Sequence, residues 1–153
     1  MLKQLLSLLI TVSIAFSGRS QGNPIEVKSL NYADLSEVQQ FNKLEFGVKL
    51  PDQIGSRITN FLKGNTIGQS DKINPFLQWE LDIEATFVHQ ETGIVKKVPA
   101  FYYREYERDP SANSWKDVGT QHPMRIRFSP VLVGKWKCTV TCKVKGKPQE
   151  AIA

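Results

Sequence analysis

Apolar and polar residues alternate along several separate segments of this chain, and that alternation constrains its fold more than any other feature. The clearest segment is 135–145, in which lysine or threonine fills every second position. The positions between them are all apolar: Trp136, Cys138, Val140, Cys142 and Val144. Because successive side chains of an extended strand point to opposite faces, this segment is predicted to be a strand with one buried face.

Four more segments are predicted to be strands: 41–50, 79–87, 94–103 and 123–130. The buried face of the second is expected to begin at Trp79, and a turn at 91–93 joins it to the third. Pro99 has no backbone N–H to donate, so we expect it at a sheet edge or a bulge.

Five strands at roughly regular spacing predict an all-β fold, an immunoglobulin-like antiparallel β-sandwich over residues 41–153. Such a sandwich usually has one further strand beyond 145, so we expect the domain to lack its last strand. One short amphipathic helix interrupts the strand pattern, as the spacing of Ile54, Ile58 and Leu62 indicates.

The predicted helix has Asp52 as its cap and Gly64 at its end. Residues 23–40 are predicted to form an irregular lead-in or an edge strand. Residues 65–74 and 108–121 are rich in polar and turn-forming residues and are predicted to be loops.

Residues 1–22 have the composition of a secretory signal peptide. A positive start at Lys3 is followed by an apolar run at 5–16 and by small residues up to Gly22. At about 1.5 Å per residue the run is too short for a bilayer core of about 30 Å. An uncleaved anchor or a buried helix are the alternatives. Cleavage is expected after Gly22, or else after Ser20.

The predicted location is therefore outside the cytoplasm, in the periplasm or the extracellular space. No cysteine lies near the cleavage region, so the chain is not expected to be a lipoprotein. The formal net charge is +5, and loss of Lys3 and Arg19 with the leader reduces it to +3. That charge is too small and too scattered to indicate a nucleic-acid partner.

The two cysteines are predicted to be core residues. Four positions apart on a strand, Cys138 and Cys142 are separated by about 13 Å, whereas a disulfide requires Cα atoms closer than about 7 Å. His89 and His122 are distant from each other in sequence, so no metal site and no cofactor are predicted.

Three carboxylates, Glu80, Asp82 and Glu84, share one face of a predicted strand. Paired carboxylates at such spacing can catalyse glycoside hydrolysis, but they must flank a cleft. A solvated face paired with lysines of the neighbouring strand is the simpler interpretation. The motifs of serine hydrolases, phosphate loops and zinc proteases are absent from the sequence, so no catalytic residue is predicted.

Aromatic residues give the better indication of a binding surface, because five of them fall between 101 and 115. Strand alternation places Phe101 and Tyr103 on the face opposite Tyr102. Aromatic rings stack on the apolar C–H faces of sugars and also mark protein interfaces. The candidate carbohydrate or interface contacts are Tyr102, Arg104, Tyr106 and Trp115, with ordinary packing at the rim of the sandwich as the alternative.

Seven stretches follow one another in the chain: Ser36-Glu-Val38, Phe41-Asn-Lys-Leu-Glu-Phe46, Asn74-Pro75-Phe76, Leu81-Asp-Ile-Glu-Ala-Thr-Phe87, Val98-Pro-Ala-Phe-Tyr-Tyr-Arg-Glu-Tyr-Glu-Arg108, Met124-Arg-Ile-Arg-Phe-Ser-Pro130 and Gly134-Lys-Trp136. In this order they resemble the bacterial domain of unknown function 5060 family. Departures are Ala100, where the family usually has glycine, a longer stretch at 51–64, and a chain that ends before the catalytic barrel that normally follows the family domain.

The resemblance implies an immunoglobulin-like domain of the kind found at the N-terminus of exported glycoside hydrolases, with no catalytic residues of its own. The implied function is that of a non-catalytic accessory module. Its expected partners are a glycoside hydrolase catalytic domain or a polysaccharide. The alternative is a stand-alone periplasmic domain that binds another protein.

Overall fold

The computed structural model describes residues 10–14, 25–64 and 71–144. Their fold consists mostly of antiparallel β-sheet with one short helix, consistent with the predicted all-β sandwich. The elements are β1 (Ile10–Ile14), β2 (Glu26–Ser29), a 3-10 turn (Leu35–Glu37), β3 (Leu44–Lys49), α1 (Asp52–Leu62), β4 (Leu81–His89), β5 (Val95–Pro99), β6 (Phe101–Tyr102), β7 (Tyr106–Asp109), β8 (Ser114–Asp117), β9 (Met124–Phe128) and β10 (Trp136–Val144).

Within the described residues, the strands form two four-stranded sheets and one separate hairpin. Sheet A has the order β1-β10-β4-β5, and sheet B has the order β2-β3-β9-β6. The hairpin consists of β7 and β8. Every pair is antiparallel except β1 with β10, which is parallel.

Four aromatic side chains join the two sheets across the core. Phe87 of sheet A stacks on Phe128 of sheet B with ring centroids 3.8 Å apart, and it also lies 6.1 Å from Phe46. Phe128 in turn meets the edge of Trp136 at 5.1 Å. These rings are buried, so the sheets are held face to face by the alternating apolar positions predicted from the sequence.

Helix α1 forms because its apolar residues lie along one side, with Ile54 and Ile58 buried. The prediction that Asp52 caps it was wrong. Pro51 is the N-cap residue and makes no side-chain hydrogen bond, while Asp52 is the first helical residue. The helix ends before Gly64, whose φ of +64° suits glycine.

Strand β3 is buried on both faces, whereas alternation predicted only one. Leu44, Phe46 and Val48 face the core, as expected. Glu45 is covered by arginine side chains of β9, and a Cβ at Gly47 would lie 2.6 Å from the Cβ of His122. The polar face of this strand is therefore covered by side chains distant in sequence.

Two predicted strands have different limits in the structure. Strand β4 begins at Leu81, so Trp79 lies in the preceding turn and is 66% exposed rather than buried. The predicted strand 94–103 is divided, because β5 belongs to sheet A and β6 to sheet B. Pro99 ends β5 at an edge of sheet A, as its missing N–H predicted.

The predicted lead-in at 23–40 includes strand β2, which is an edge strand of sheet B. Most of the predicted signal peptide lies outside the described residues, apart from Ile10–Ile14, which form β1. The predicted loop at 65–74 is described only from residue 71 onward. No helix among the described residues is long and apolar enough to cross a membrane.

The ring contacts between the sheets predict a large loss of stability for Phe87→Ala. Removing this ring leaves a cavity between Phe46 and Phe128, and we expect a loss of about 3–5 kcal/mol in the free energy of unfolding, measured by urea denaturation. Val95→Ala, at a half-exposed position on β5, is the control and should cost less than about 1 kcal/mol. Equal losses in both variants would contradict a core centred on these rings.

Candidate functional site

The segment predicted as a loop at 108–121 overlaps the hairpin β7–β8, so the prediction was wrong for residues 108–109 and 114–117. The Asp109 carboxylate accepts hydrogen bonds from the backbone N–H groups of Ser111 and Ala112, at 3.0 and 3.2 Å. Asn113 has a φ of +45°, a conformation that asparagine tolerates well. These two residues close the turn. Alternation could not reveal the strands because neither face of the hairpin is buried.

One face of the hairpin carries two exposed aromatic rings. Tyr106 pairs with Asp117 and Arg108 pairs with Trp115 in the antiparallel register. Because alternate and directly paired residues share a face, these four residues lie on the same side of the hairpin. Trp115 is 68% exposed and Tyr106 is 48% exposed. The hairpin therefore presents an aromatic surface to solvent.

Arg104 connects this surface to the sandwich. Its guanidinium forms an ion pair with the Asp117 carboxylate and lies 5.7 Å from the centroid of the Tyr106 ring. Asp117 also accepts a hydrogen bond from the Gly119 backbone N–H at 2.9 Å. Arg104 is thus held between an acid and a ring at the base of the hairpin.

Tyr102 continues the aromatic surface on the sandwich itself. Its ring meets the edge of the exposed Phe76 ring at 5.5 Å. Burial raises the pKa of the Tyr102 hydroxyl above its ordinary value, against the opposing charge of Arg104. The hydroxyl therefore remains protonated at neutral pH and is able to donate a hydrogen bond.

Phe76 reaches this position through a local turn in the Asn74-Pro75-Phe76 motif. The Phe76 backbone N–H donates to the Asn74 side-chain oxygen at 3.0 Å, and the Asn74 N–H donates to Glu80 at 2.7 Å. These bonds fix the turn and hold Phe76 against Tyr102. Phe76 is not among the contact residues predicted from the sequence, although the Asn74-Pro75-Phe76 motif is visible there.

A groove of about 770 Å³ adjoins Tyr102 and Arg104. One wall is helix α1, which contributes polar side chains such as Ser56, Thr59 and Asn60, with Lys63 directly after its end. The other wall is formed by Asp117 at the end of β8 and by residues of the segment that follows the hairpin, including Thr120 and Pro123. Hydroxyl, amide and charged groups therefore line this groove together with apolar side chains such as Leu50 and Leu62, and Tyr102 and Arg104 are part of the lining.

The structure brings the four predicted contact residues together. Tyr102 and Arg104 line the groove, Arg104 lies over Tyr106, and Tyr106 shares a hairpin face with Trp115. The residues that sequence reasoning missed are Phe76, Asp117 and the polar side of α1. Their positions depend on how the hairpin and the helix pack, which no local pattern reports.

The outer face of sheet B carries a second cluster of aromatic and charged residues. Arg125 lies 4.6 Å from the Tyr103 ring centroid, and Arg127 lies 4.7 Å from that of Phe101. Because both arginines lie on the outer face of sheet B, their contacts confirm that Phe101 and Tyr103 face away from Tyr102. Both arginines also bond Glu45, at 3.4 Å and 2.8 Å.

The charge of Glu45 depends on these cations. Burial acts to raise its pKa, but the hydrogen bond and charge of Arg127, together with those of Lys43, outweigh burial and hold the pKa below its ordinary value of 4.5. Glu45 is therefore ionised at neutral pH. The cluster closes the outer face of β3 and β9, which makes it a structural feature.

The carboxylates of β4 and the two cysteines contribute to the fold. Glu84 forms an ion pair with Lys97 of the neighbouring strand at 3.2 Å, which supports the solvated-face interpretation of the carboxylates. Cys138 and Cys142 are free thiols in the core, as predicted. Within residues 10–14, 25–64 and 71–144, no group of three or more His, Cys, Asp or Glu residues is placed to hold a metal ion.

Comparison of the chain with protein-family models, with curated proteins and with solved structures gave no match in any of the three.

The buried thiols predict slow chemical labelling. Burial raises the pKa of Cys138 and Cys142 to about 12, so the thiolate that reacts with a maleimide is scarce at pH 8. We expect labelling of the folded protein at least about 100-fold slower than in denaturant, measured by mass spectrometry. Fast labelling under native conditions would show that β10 opens readily.

The Glu45 cluster predicts a pH-dependent loss of stability for Glu45→Gln. Because the folded-state pKa is lowered, the ionised carboxylate stabilises the fold above its ordinary pKa, and this contribution disappears as the pH falls through the folded-state value. We expect a loss of about 1–3 kcal/mol at pH 7 that shrinks below pH 4.5, measured by urea denaturation. Glu107→Gln, on the exposed hairpin, should change stability by less than about 0.5 kcal/mol.

Proposed function

We propose that this protein is an exported, non-catalytic accessory module of a polysaccharide-degrading system, and that it contacts carbohydrate through the hairpin and the adjoining groove. Residues 1–22 act as its signal peptide, and the sandwich is of the immunoglobulin-like type. The observation that carries the proposal is the continuous surface from Trp115 and Tyr106 through Arg104 to Tyr102.

The chemistry of this surface suits a glycan chain. Sugar rings have apolar C–H faces that stack on exposed aromatic rings, and their hydroxyls both donate and accept hydrogen bonds. Trp115 and Tyr106 offer the rings, while Arg104, Asp117 and the hydroxyls of α1 offer the polar partners. A glycan that stacks on the hairpin face can therefore continue into the groove.

The resemblance to the domain of unknown function 5060 family supports the accessory role. Two of the matching stretches, Asn74-Pro75-Phe76 and the one that contains Tyr102, meet at the contact between Phe76 and Tyr102. In this proposal the module works beside a glycoside hydrolase catalytic domain. It holds the polysaccharide near the enzyme and does not cleave it.

A stand-alone protein-binding domain is the second candidate. The observation that favours it is the exposure of large apolar side chains away from the groove, since Phe41 is 69% exposed. Exposed aromatic residues are enriched at protein interfaces. A domain of this kind should form a stoichiometric complex with a protein and show no retention by polysaccharides.

The aromatic surface predicts weaker polysaccharide binding in Trp115→Ala and in Tyr106→Ala. Each variant removes a ring that is exposed in the free protein, so we expect about five- to tenfold weaker binding with little change in melting temperature. Affinity electrophoresis against neutral and acidic polysaccharides measures the loss.

The matched control is Phe41→Ala, because Phe41 is as exposed as Trp115 but lies at the other end of sheet B. Its backbone N–H donates to Pro130, whereas Tyr102 pairs with Met124 at the opposite end of β9. Retention should be unchanged in this variant. Wild-type retention in both hairpin variants, or equal losses in all three, would refute carbohydrate contact at the hairpin.

A further inference from the structure

Strand β10 has a long outer edge, and its only neighbour there among the described residues is β1. On its inner side, all nine residues of β10 pair with β4 in one continuous register. On its outer side, the five residues of β1 pair in parallel with Trp136 to Val140. Residues 141–144 have no strand partner on that side within the described part of the chain.

The other outer edges of the two sheets are shorter than that of β10 or are interrupted by proline. Strands β2 and β6, at the edges of sheet B, have four and two residues. Strand β5, at the far edge of sheet A, ends in Pro99 and carries Lys96 and Lys97. Short strands, proline and lysine all discourage the addition of another strand. Strand β10 also carries lysines, at positions 137 and 143, but it has nine residues, no proline and an unbroken register with β4.

The segment that covers β10 belongs to the proposed signal peptide. If residues 1–22 are removed on export, the backbone N–H and C=O groups along the outer edge of β10 lose the strand that pairs with them. Unpaired backbone groups on a regular edge are a template for an added strand, and proteins use this mode to bind extended peptides. Removal of the leader thus exposes a binding edge.

We infer that the outer edge of β10 is a strand-acceptor site. Residues 10–14 occupy it within the unprocessed chain, and in the exported protein an extended segment of another polypeptide takes their place. The incoming segment has apolar residues at the positions of Ile10, Val12 and Ile14 and an acidic residue at the position of Thr11.

We expect an acidic residue in the incoming segment because β10 carries a positive charge at Lys137. Thr11 pairs with Lys137, whose partner on the other side is the uncharged Val88. Lys137 is exposed and has no ion pair with a carboxylate among the described residues. An acidic residue beside it would form a favourable cross-strand pair.

The apolar positions follow from the register of β1. Ile10, Val12 and Ile14 pair with Trp136, Cys138 and Val140. Those three residues of β10 are buried in the core. A segment that keeps apolar residues at these positions therefore matches the pattern of the strand it joins.

A second copy of this chain fits the edge poorly. Antiparallel pairing of two β10 strands about Val140 would place Lys137 opposite Lys143 of the second copy, and like charges directly opposite each other are unfavourable. The inference uses the proposed loss of the leader for its biological setting. The acceptor property itself belongs to β10 and is separate from the hairpin surface.

Val12→Pro in the full chain tests the site. Proline removes a backbone N–H from β1, so hydrogen exchange at those amides of residues 136–140 that face β1 should become at least about tenfold faster than in the wild type and in Val12→Thr, which keeps the N–H. The amides that face β4 should keep their protection. If Val12→Pro does not fold, Val12→Asp replaces it. Unchanged exchange in a folded variant would overturn the assignment of β1 to this edge.

Addition of a strand from outside tests the acceptor function. The probe is a soluble carrier protein ending in residues 8–16, either unchanged or with Thr11→Glu or Thr11→Lys, and fluorescence anisotropy measures its binding to the Val12→Pro chain. We expect the probe to restore the protection from exchange at 136–140. The probe with glutamate at position 11 should bind most tightly and the probe with lysine most weakly, with about a two- to fivefold difference in affinity between successive probes. Lys137→Glu in the same chain should reverse the order.

Three outcomes would overturn the inference: no binding of any probe to the folded variant, an order that Lys137→Glu does not change, or self-association of the variant in place of probe binding. Polysaccharide retention is measured on the same variant and should equal that of the wild type. Because the hairpin and β10 are tested separately, failure of the acceptor site and failure of the carbohydrate proposal are distinguishable.

Discussion

The stacked rings between the two sheets are the contact on which the rest of the structure depends. Phe87 lies against Phe128 at 3.8 Å, and Phe46 and Trp136 extend the contact on either side. Each ring removes a large apolar area from water, so together they favour one face-to-face arrangement of the sheets. That arrangement fixes the position of β9, and the strands and turns of the candidate site are placed relative to it.

The transfer of the chain from one sheet to the other positions the candidate site. Strand β5 ends at Pro99, Ala100 donates its N–H to Ile83, and β6 then joins β9 in sheet B. This crossing brings Tyr102 to the edge of sheet B beside α1. The chain leaves the sandwich immediately afterwards, which is why Arg104 and the hairpin stand next to the groove.

Much of the strand pattern and the core could be predicted from the sequence, whereas most of the candidate site could not. Alternation identified β10, β9 and the core face of β3 because burial on one face leaves a period of two in the residues themselves. It missed the hairpin because both its faces are exposed, and it misjudged Glu45 because two arginines of β9 bury it. The aromatic cluster was visible, but its pairing with Phe76 and Asp117 was not.

The sequence by itself determined the local features: which segments are extended, which side of each is apolar, where α1 lies and which aromatic residues cluster between 101 and 115. These follow from spacing and residue type within a few positions. Only the tertiary structure decided which sheet each strand joins, that Tyr102, Arg104, Tyr106 and Trp115 form one surface, and that β1 lies on the edge of β10. Those outcomes depend on contacts between residues far apart in the chain, and such contacts leave no periodic signal in either partner.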